Sequence, residues 1–246
     1  MLILAHRGAS ADAPENTLPA FLEAVVQGAE GVELDVQVCG SGELVVCHDP
    51  ELTRLAGVPL RVGQTPYQVL RGLDVGTPSG KGRASIPLLE EVLTALPKGM
   101  LVNVELKVDG WDDRGLARRV GALIGARSEE ERVLISSFNP ACLWRFKREF
   151  PKIRCGYLME PDAPFWLHGR LLAPWLSSHS IHPHHTACTP NHMKRWGRAG
   201  LKVACWTVDS PERAVALAAL GVTYLITNRP ALIRQALVES GRLDAG

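Results

Sequence analysis

No two of the six cysteines form a Cys-x-x-Cys pair; they fall at 39, 47, 142, 155, 188 and 205. That spacing carries no thiolate metal motif and does not read as a disulfide framework. Several sit inside apolar runs, as in Val46-Cys47 and Ala204-Cys205-Trp206, where a free thiol packs as a small hydrophobe. A reducing compartment is the expectation. No apolar stretch approaches the ~20 residues of a membrane span. Met1-Leu2-Ile3-Leu4-Ala5 is too short for a signal-peptide core. A cytoplasmic protein without stable membrane insertion is therefore expected. Blocks of one charge sign are also missing. The net charge is +1 with acids and bases interspersed, so nothing calls for nucleic acid.

What is present is a rhythm. Apolar runs of strand length alternate with helical patterns across 246 residues, of which 46% are apolar. Strands are predicted over Leu2–His6, Val32–Val38 with an extension through Leu44–His48, Leu101–Lys107, Val133–Phe138, Ile153–Met159, Leu201–Val208 and Thr223–Ile226. Helices are predicted over Thr17–Gln27, Leu88–Leu96, about 113–124, Ala141–Phe150, Pro211–Leu220 and Pro230–Val238. Residues 166–181 give no clean pattern. Repeated strand–helix units imply parallel strands with right-handed crossovers. Roughly eight such units in this length fit a single α/β domain over 1–246, a closed (β/α)8 TIM barrel. A doubly wound open sheet is the runner-up, but it usually carries a Gly-rich turn after its first strand, where this chain has His6-Arg7-Gly8-Ala9-Ser10. One connection breaks the rhythm: an insertion at about 51–86, between the second strand region and the following helix, long enough to shape a binding pocket or to be a passive surface excursion.

Side chains alternate faces along a strand, so Glu33 and Asp35 share one face and Val32, Leu34 and Val36 the other. Asn103, Glu105 and Lys107 stand against Val104 and Leu106 in the same way. Polar residues therefore point into the barrel on two strands. Several buried carboxylates need a cation or a proton to neutralise them. A metal is the economical solution, and oxygen ligands favour Mg2+ or Ca2+ over zinc; a salt-bridge cluster with Lys107 or Arg7 as counter-ion is the alternative. His6 and His48 end strand patterns, and two histidines can divide base and acid work near neutrality. Arg7 offers a planar fork for phosphoryl oxygens and Lys107 a compact charge. Asn16, just before a helical run, reads as an N-cap, with Glu15 orienting Arg7 or a histidine. Phe138 and Trp206 read as walls of the mouth. The string His179-Ser180-Ile181-His182-Pro183-His184-His185, with His192 beyond, lacks a zinc spacing and reads mostly as loop, with His182 near the substrate at the end of a sixth strand.

Taken in order, these words resemble the glycerophosphodiester phosphodiesterase family, in its short bacterial cytosolic form. The resemblance rests on Ala5-His6-Arg7-Gly8, Pro14-Glu15-Asn16-Thr17, Gly31-Val32-Glu33-Leu34-Asp35-Val36 and Cys47-His48-Asp49-Pro50. It continues through Ile86-Pro87-Leu88-Leu89-Glu90-Glu91, Asn103-Val104-Glu105-Leu106-Lys107, Trp206-Thr207-Val208 and Thr227-Asn228-Arg229-Pro230. The closing motif has Asn228 where the family usually has aspartate, which reads as a tolerated loop change. The resemblance implies a small insertion over the barrel mouth and hydrolysis of a small-molecule glycerophosphodiester to sn-glycerol 3-phosphate and an alcohol. In that reading His6 and His48 are catalytic. Glu33, Asp35 and Glu105 hold a divalent cation. Arg7, Lys107, Phe138, His182 and Trp206 bind substrate. Water and the neighbouring glycerol hydroxyl are both open as nucleophile. Two other readings compete. A lysophospholipase D-type enzyme would open its mouth with apolar residues such as Trp111, Phe165, Trp166 and Trp175. A non-catalytic phosphate-binding barrel would have no need of both histidines.

Overall fold

The computed structural model describes residues 1–108, 110–159 and 178–244. Within them the strands are β1 (Leu2–His6), β2 (Gly31–Val38), β3 (Leu44–Val46), β4 (Leu101–Leu106), β5 (Val133–Ser137), β6 (Arg154–Met159), β7 (Ser180–Pro183), β8 (Lys202–Cys205) and β9 (Tyr224–Thr227). The helices are α1 (Leu18–Val26), α2 (Thr53–Ala56), α3 (Tyr67–Gly72), α4 (Leu89–Ala95), α5 (Leu116–Ala126), α6 (Pro140–Glu149), α7 (Pro190–Arg198), α8 (Pro211–Ala219) and α9 (Pro230–Glu239). Sheet order runs β1-β9-β8-β7-β6-β5-β4-β2, and β1 pairs with β2 in parallel, which closes an eight-stranded parallel barrel. No helix among the described residues is long and apolar enough to cross a membrane.

Alternation along the strands builds two cores. Val32, Leu34, Val36, Val102, Val104 and Leu106 face outward and bury against Phe21, Leu89, Val92, Leu93, Val120 and Ile124 of the surrounding helices. Inward-facing Leu4, Leu101, Leu134, Ala204, Tyr224 and Ile226 plug the barrel. Three helices begin in the same way, with proline in the first turn behind a side-chain cap. Asn139 accepts from Cys142 N at 3.0 Å, Thr189 from His192 N at 3.3 Å and Ser210 from Arg213 N at 3.2 Å.

Three expectations need correction. Leu44–His48 does not extend β2. The chain turns at Gly42 (φ 101°) and returns as antiparallel β3, pairing Val36 with Val46. Hairpin geometry, not a barrel strand, then brings Cys47 beside Asp35, whose carbonyl accepts from Cys47 N at 2.9 Å. Second, the histidine-rich string is not mostly loop: Ser180–Pro183 is the sixth barrel strand, flanked by β6 and β8. Third, the strand predicted to run to Val208 ends at Cys205. The connection beyond Asp49 holds α2 and α3 around a separate apolar cluster of Leu52, Val62, Tyr67, Leu70 and Ile86.

Candidate active site

Parallel strands present their C-terminal ends on one face of the barrel, and that face is where the polar residues gather. They line a cavity of about 470 Å³ bounded by His6, Arg7, Glu33, His48, Asn103, Glu105 and Lys107, with Phe138, Leu158, Trp206 and Ile226 on its apolar side. Register explains the grouping. His6 pairs with Glu33 and Glu33 with Asn103 in one row; Asp35 pairs with Glu105 in the next.

Glu33, Asp35 and Glu105 are buried and offer one oxygen each, all within 4.8 Å of one another. Two cations face these three acids. Arg7 Nε lies 3.3 Å from Asp35 Oδ2, and Lys107 Nζ lies 2.8 Å from Glu105 Oε1 and 3.6 Å from Asp35 Oδ1. Burial, then the charges of Asp35 and Glu105, push the Glu33 carboxyl well above its ordinary range. Burial and Asp35 raise Glu105 to about 7. Burial also opposes ionisation of Asp35, but Arg7 and Lys107 outweigh it and hold this carboxyl low. A divalent cation would relieve this excess of buried acid, and an all-oxygen donor set suits Mg2+ or Ca2+. The residues present fit such an ion.

The turn after β1 holds the site together under strain. Arg7 and Asn16 adopt left-handed backbone (φ 55° and 56°), uncommon outside glycine and concentrated at functional sites. Gly8, at φ 82°, lies so close to Ala20 that a Cβ would fall 2.6 Å from its carbonyl carbon. Asn16 does not cap α1; that position is Thr17. Instead its amide embraces Asp35, donating to Oδ2 at 2.8 Å and accepting from the backbone N at 3.2 Å. Glu15 accepts from Arg7 Nη1 at 2.9 Å, as the sequence led us to expect, and also takes a two-pronged contact from Arg54 on α2 at 2.8 and 2.9 Å.

The two histidines have different partners. His6 Nδ1 is 2.8 Å from Asn228 Oδ1, and Nε2 is 3.9 Å from Glu33 Oε2. Asn228 in turn donates from Nδ2 and from its backbone N to Asp209, at 2.7 and 2.8 Å, and also accepts from Ser10 Oγ at 2.7 Å. Asn228, read from the sequence as a tolerated loop change, thus links His6 to Asp209. Burial and then the charge of Arg7 lower the His6 pKa. His48 Nδ1 is 2.7 Å from Asp49 Oδ1, and Arg54 Nε is 2.6 Å from Asp49 Oδ2. Gln37 stitches this loop down by donating to the carbonyls of Cys47, His48 and Asp49 at 2.8–3.1 Å.

Phe138 and Trp206 meet edge to face at 5.7 Å on the cavity wall. His182 does not reach the cavity, against expectation. Its ring is fully buried over Gly156, where a Cβ would lie 2.1 Å from Nε2, and Nε2 is 2.8 Å from Ser180 Oγ. Among the described residues it meets the cavity wall through its carbonyl, which accepts from Trp206 Nε1 at 2.8 Å. Phe165, Trp166 and Trp175 lie outside the described residues, and Trp111 is 84% exposed. Sequence reasoning missed Gln37, Arg54 and Asp209, and it turned Asn103 inward beside Glu105 without giving it a role.

The sequence model of the Glycerophosphoryl diester phosphodiesterase family matches residues 6–232. A glycerophosphodiester phosphodiesterase of Caldanaerobacter subterraneus subsp. tengcongensis is 34% identical over 237 residues, spanning 93% of this chain and 94% of that protein. A solved phosphodiesterase of Oleispira antarctica, in complex with the product sn-glycerol-3-phosphate, superposes with a TM-score of 0.83 at 28% identity, covering 96% of each chain. The glycerophosphodiester phosphodiesterase of Agrobacterium tumefaciens superposes with a TM-score of 0.83 at 25% identity, covering 96% of this chain and 99% of that one. With the barrel, the buried acids and the paired histidines on one face, the chain belongs to the glycerophosphoryl diester phosphodiesterase family and is a phosphoric diester hydrolase.

Proposed function

We propose that the protein hydrolyses water-soluble glycerophosphodiesters to sn-glycerol 3-phosphate and an alcohol, and that it needs Mg2+ or Ca2+ to do so. The observation that carries this reading is the oxygen triad Glu33, Asp35 and Glu105 with Arg7 and Lys107 beside it and both histidines on the same cavity. The product bound by the Oleispira antarctica relative supports the same reaction. Glu33, Asp35 and Glu105 would hold the divalent cation, which would supply Lewis-acid polarisation of the phosphoryl oxygens.

The chain's own groups account for the rest. Arg7 and Lys107 fix positive charge where phosphoryl charge grows. His6 donates its Nδ1 hydrogen to a neutral amide, which leaves the Nε2 lone pair free to take the nucleophile's proton. His48 has the Asp49 carboxylate on Nδ1, which balances the charge the ring carries as proton donor to the leaving oxygen. The new P–O bond forms from the nucleophile, the P–O bond to the alcohol breaks, and the alcohol leaves with the proton from His48. A neighbouring cleft of about 360 Å³ shares Lys107 and Val108 with the main cavity and is lined by Arg61, Gly63 and Gln64 from the 51–86 excursion. It receives the departing alcohol. Six buried free thiols support a cytoplasmic setting.

The test is turnover of glycerophosphocholine and of lysophosphatidylcholine, each with Mg2+, Ca2+ and chelator, with products identified. Glycerol 3-phosphate should appear, with higher kcat/KM on the soluble diester. Phosphocholine as product would mean cleavage on the other side of phosphorus and would refute the reaction. A preference for the lysophospholipid would move the protein to lysophospholipase D chemistry.

A further inference from the structure

Asn103 is 1% exposed, yet among the described residues neither its Nδ2 nor its Oδ1 has a hydrogen-bond partner. Native buried amides are almost always satisfied, and leaving both ends unpaired costs free energy. The side chain lines the main cavity. It sits one inward position below Glu105 on β4, in the row of His6 and Glu33, with Leu134 on its far side. Inward alternation on β4 therefore turns the side chain toward the cavity, beneath the level of Asp35, Glu105 and Lys107.

Among the groups of a glycerophosphodiester and its cation, the amide's chemistry favours one. A phosphoryl oxygen only accepts, and would leave Oδ1 unpaired. A cation would take Oδ1 and leave Nδ2 unpaired. A vicinal diol answers both ends, one hydroxyl accepting from Nδ2 and its neighbour donating to Oδ1. Leu158 and Ile226 give the carbon skeleton of such a diol an apolar surface in the same cavity. Resting on the reaction proposed above, we infer that Asn103 reads the vicinal hydroxyls of the glycerol arm and is the residue by which the enzyme distinguishes a glycerophosphodiester from other phosphodiesters.

The experiment compares wild type, Asn103→Leu and Asn103→Ala in turnover of glycerophosphocholine and its 1-deoxy analogue, and in calorimetric binding of sn-glycerol 3-phosphate and its 2-deoxy analogue, because the 2-hydroxyl is itself a candidate nucleophile. Wild type should lose about 10–100-fold in kcat/KM on the 1-deoxy substrate and in affinity for the 2-deoxy product, the span expected when a buried polar group is left unpaired. In Asn103→Leu, which keeps the volume without polar atoms, the two members of each pair should fall within about threefold of one another, with Tm unchanged or raised. A variant that loses equally on both members of each pair would overturn the inference, as would a wild type indifferent to both deoxy analogues. Failure of both variants to fold would assign Asn103 a structural role and overturn it too. If wild type turns over no glycerophosphodiester, the proposed reaction fails separately. Calorimetry with glycerol 3-phosphate and its deoxy analogues then reads the same selectivity without turnover.

Discussion

The Nδ1 of His6 and the Oδ1 of Asn228 lie 2.8 Å apart across 222 residues of sequence. The carboxylate that completes this chain of contacts, Asp209, stands one step further out, 2.7 Å from the Asn228 amide nitrogen. A neutral amide thus separates the imidazole from the acid.

This arrangement predicts an epistatic pair. Asn228→Ala should lower kcat by about 10–100-fold with little change in KM, because the ring loses the partner that fixes its tautomer. Asn228→Asp, although it supplies the residue usual in the family, should also fail: two carboxylates would meet where Nδ2 now donates to Asp209. Adding Asp209→Asn should restore most of the activity. Full activity in the Asn228→Asp single variant would disprove the contact's importance.

The division of labour between the histidines is checked with leaving groups. His48→Ala should cut kcat by about 10²–10⁴-fold on a choline diester. Much of that loss should vanish on a p-nitrophenyl diester, whose leaving oxygen needs no proton. His6→Ala should be impaired on both. The opposite pattern would exchange the two roles.

Metal dependence is read without turnover as well as with it. Chelation should abolish activity. Glu33→Gln, Asp35→Asn and Glu105→Gln should each weaken calorimetric binding of Mg2+ or Ca2+ by more than about 100-fold, exceeding the usual cost of losing a supporting contact. Undiminished turnover in rigorously chelated samples would remove the metal from the mechanism.

Glu15 predicts a pH-dependent contribution to stability. Burial works to raise its carboxyl, but hydrogen bonds and charge from Arg54 and Arg7 prevail and depress it to about 2. A depressed acid stabilises the fold fully above its unfolded value, ordinarily near 4.5, and that contribution is lost as pH falls toward about 2. Glu15→Gln should therefore lower Tm at pH 7, and the difference from wild type should shrink between pH 4.5 and pH 2. A Tm difference constant across that range would show that the ion pairs contribute nothing.

Local periodicity made the frame legible and stopped there. Glu33 and Asp35 could be assigned inward because Val32, Leu34 and Val36 were plainly outward, and the strands bear this out. The hairpin at Gly42 hid its reversal: an apolar run after a glycine turn has the same period whether it continues a strand or folds back. Asn16 looked like a cap because its position before a helix is local information, whereas its partner Asp35 is 19 residues away. Helix α7 went unread although Thr189-Pro190 is a cap followed by a first-turn proline, because the histidine string drew attention to metal spacing instead. Asp209 gave no sign, since nothing in a sequence pairs it with residue 228.

The two-pronged contact from Arg54 to Glu15 has a consequence for protein engineering. Arg54 belongs to the 51–86 excursion, while Glu15 grips Arg7, the arginine proposed above for the phosphoryl oxygens. A chimaera that imported another relative's excursion to change the accepted alcohol would therefore also disturb Arg7. Grafts that carry an arginine at the equivalent place should keep turnover while changing preference. Those without it should be slow on every alcohol alike.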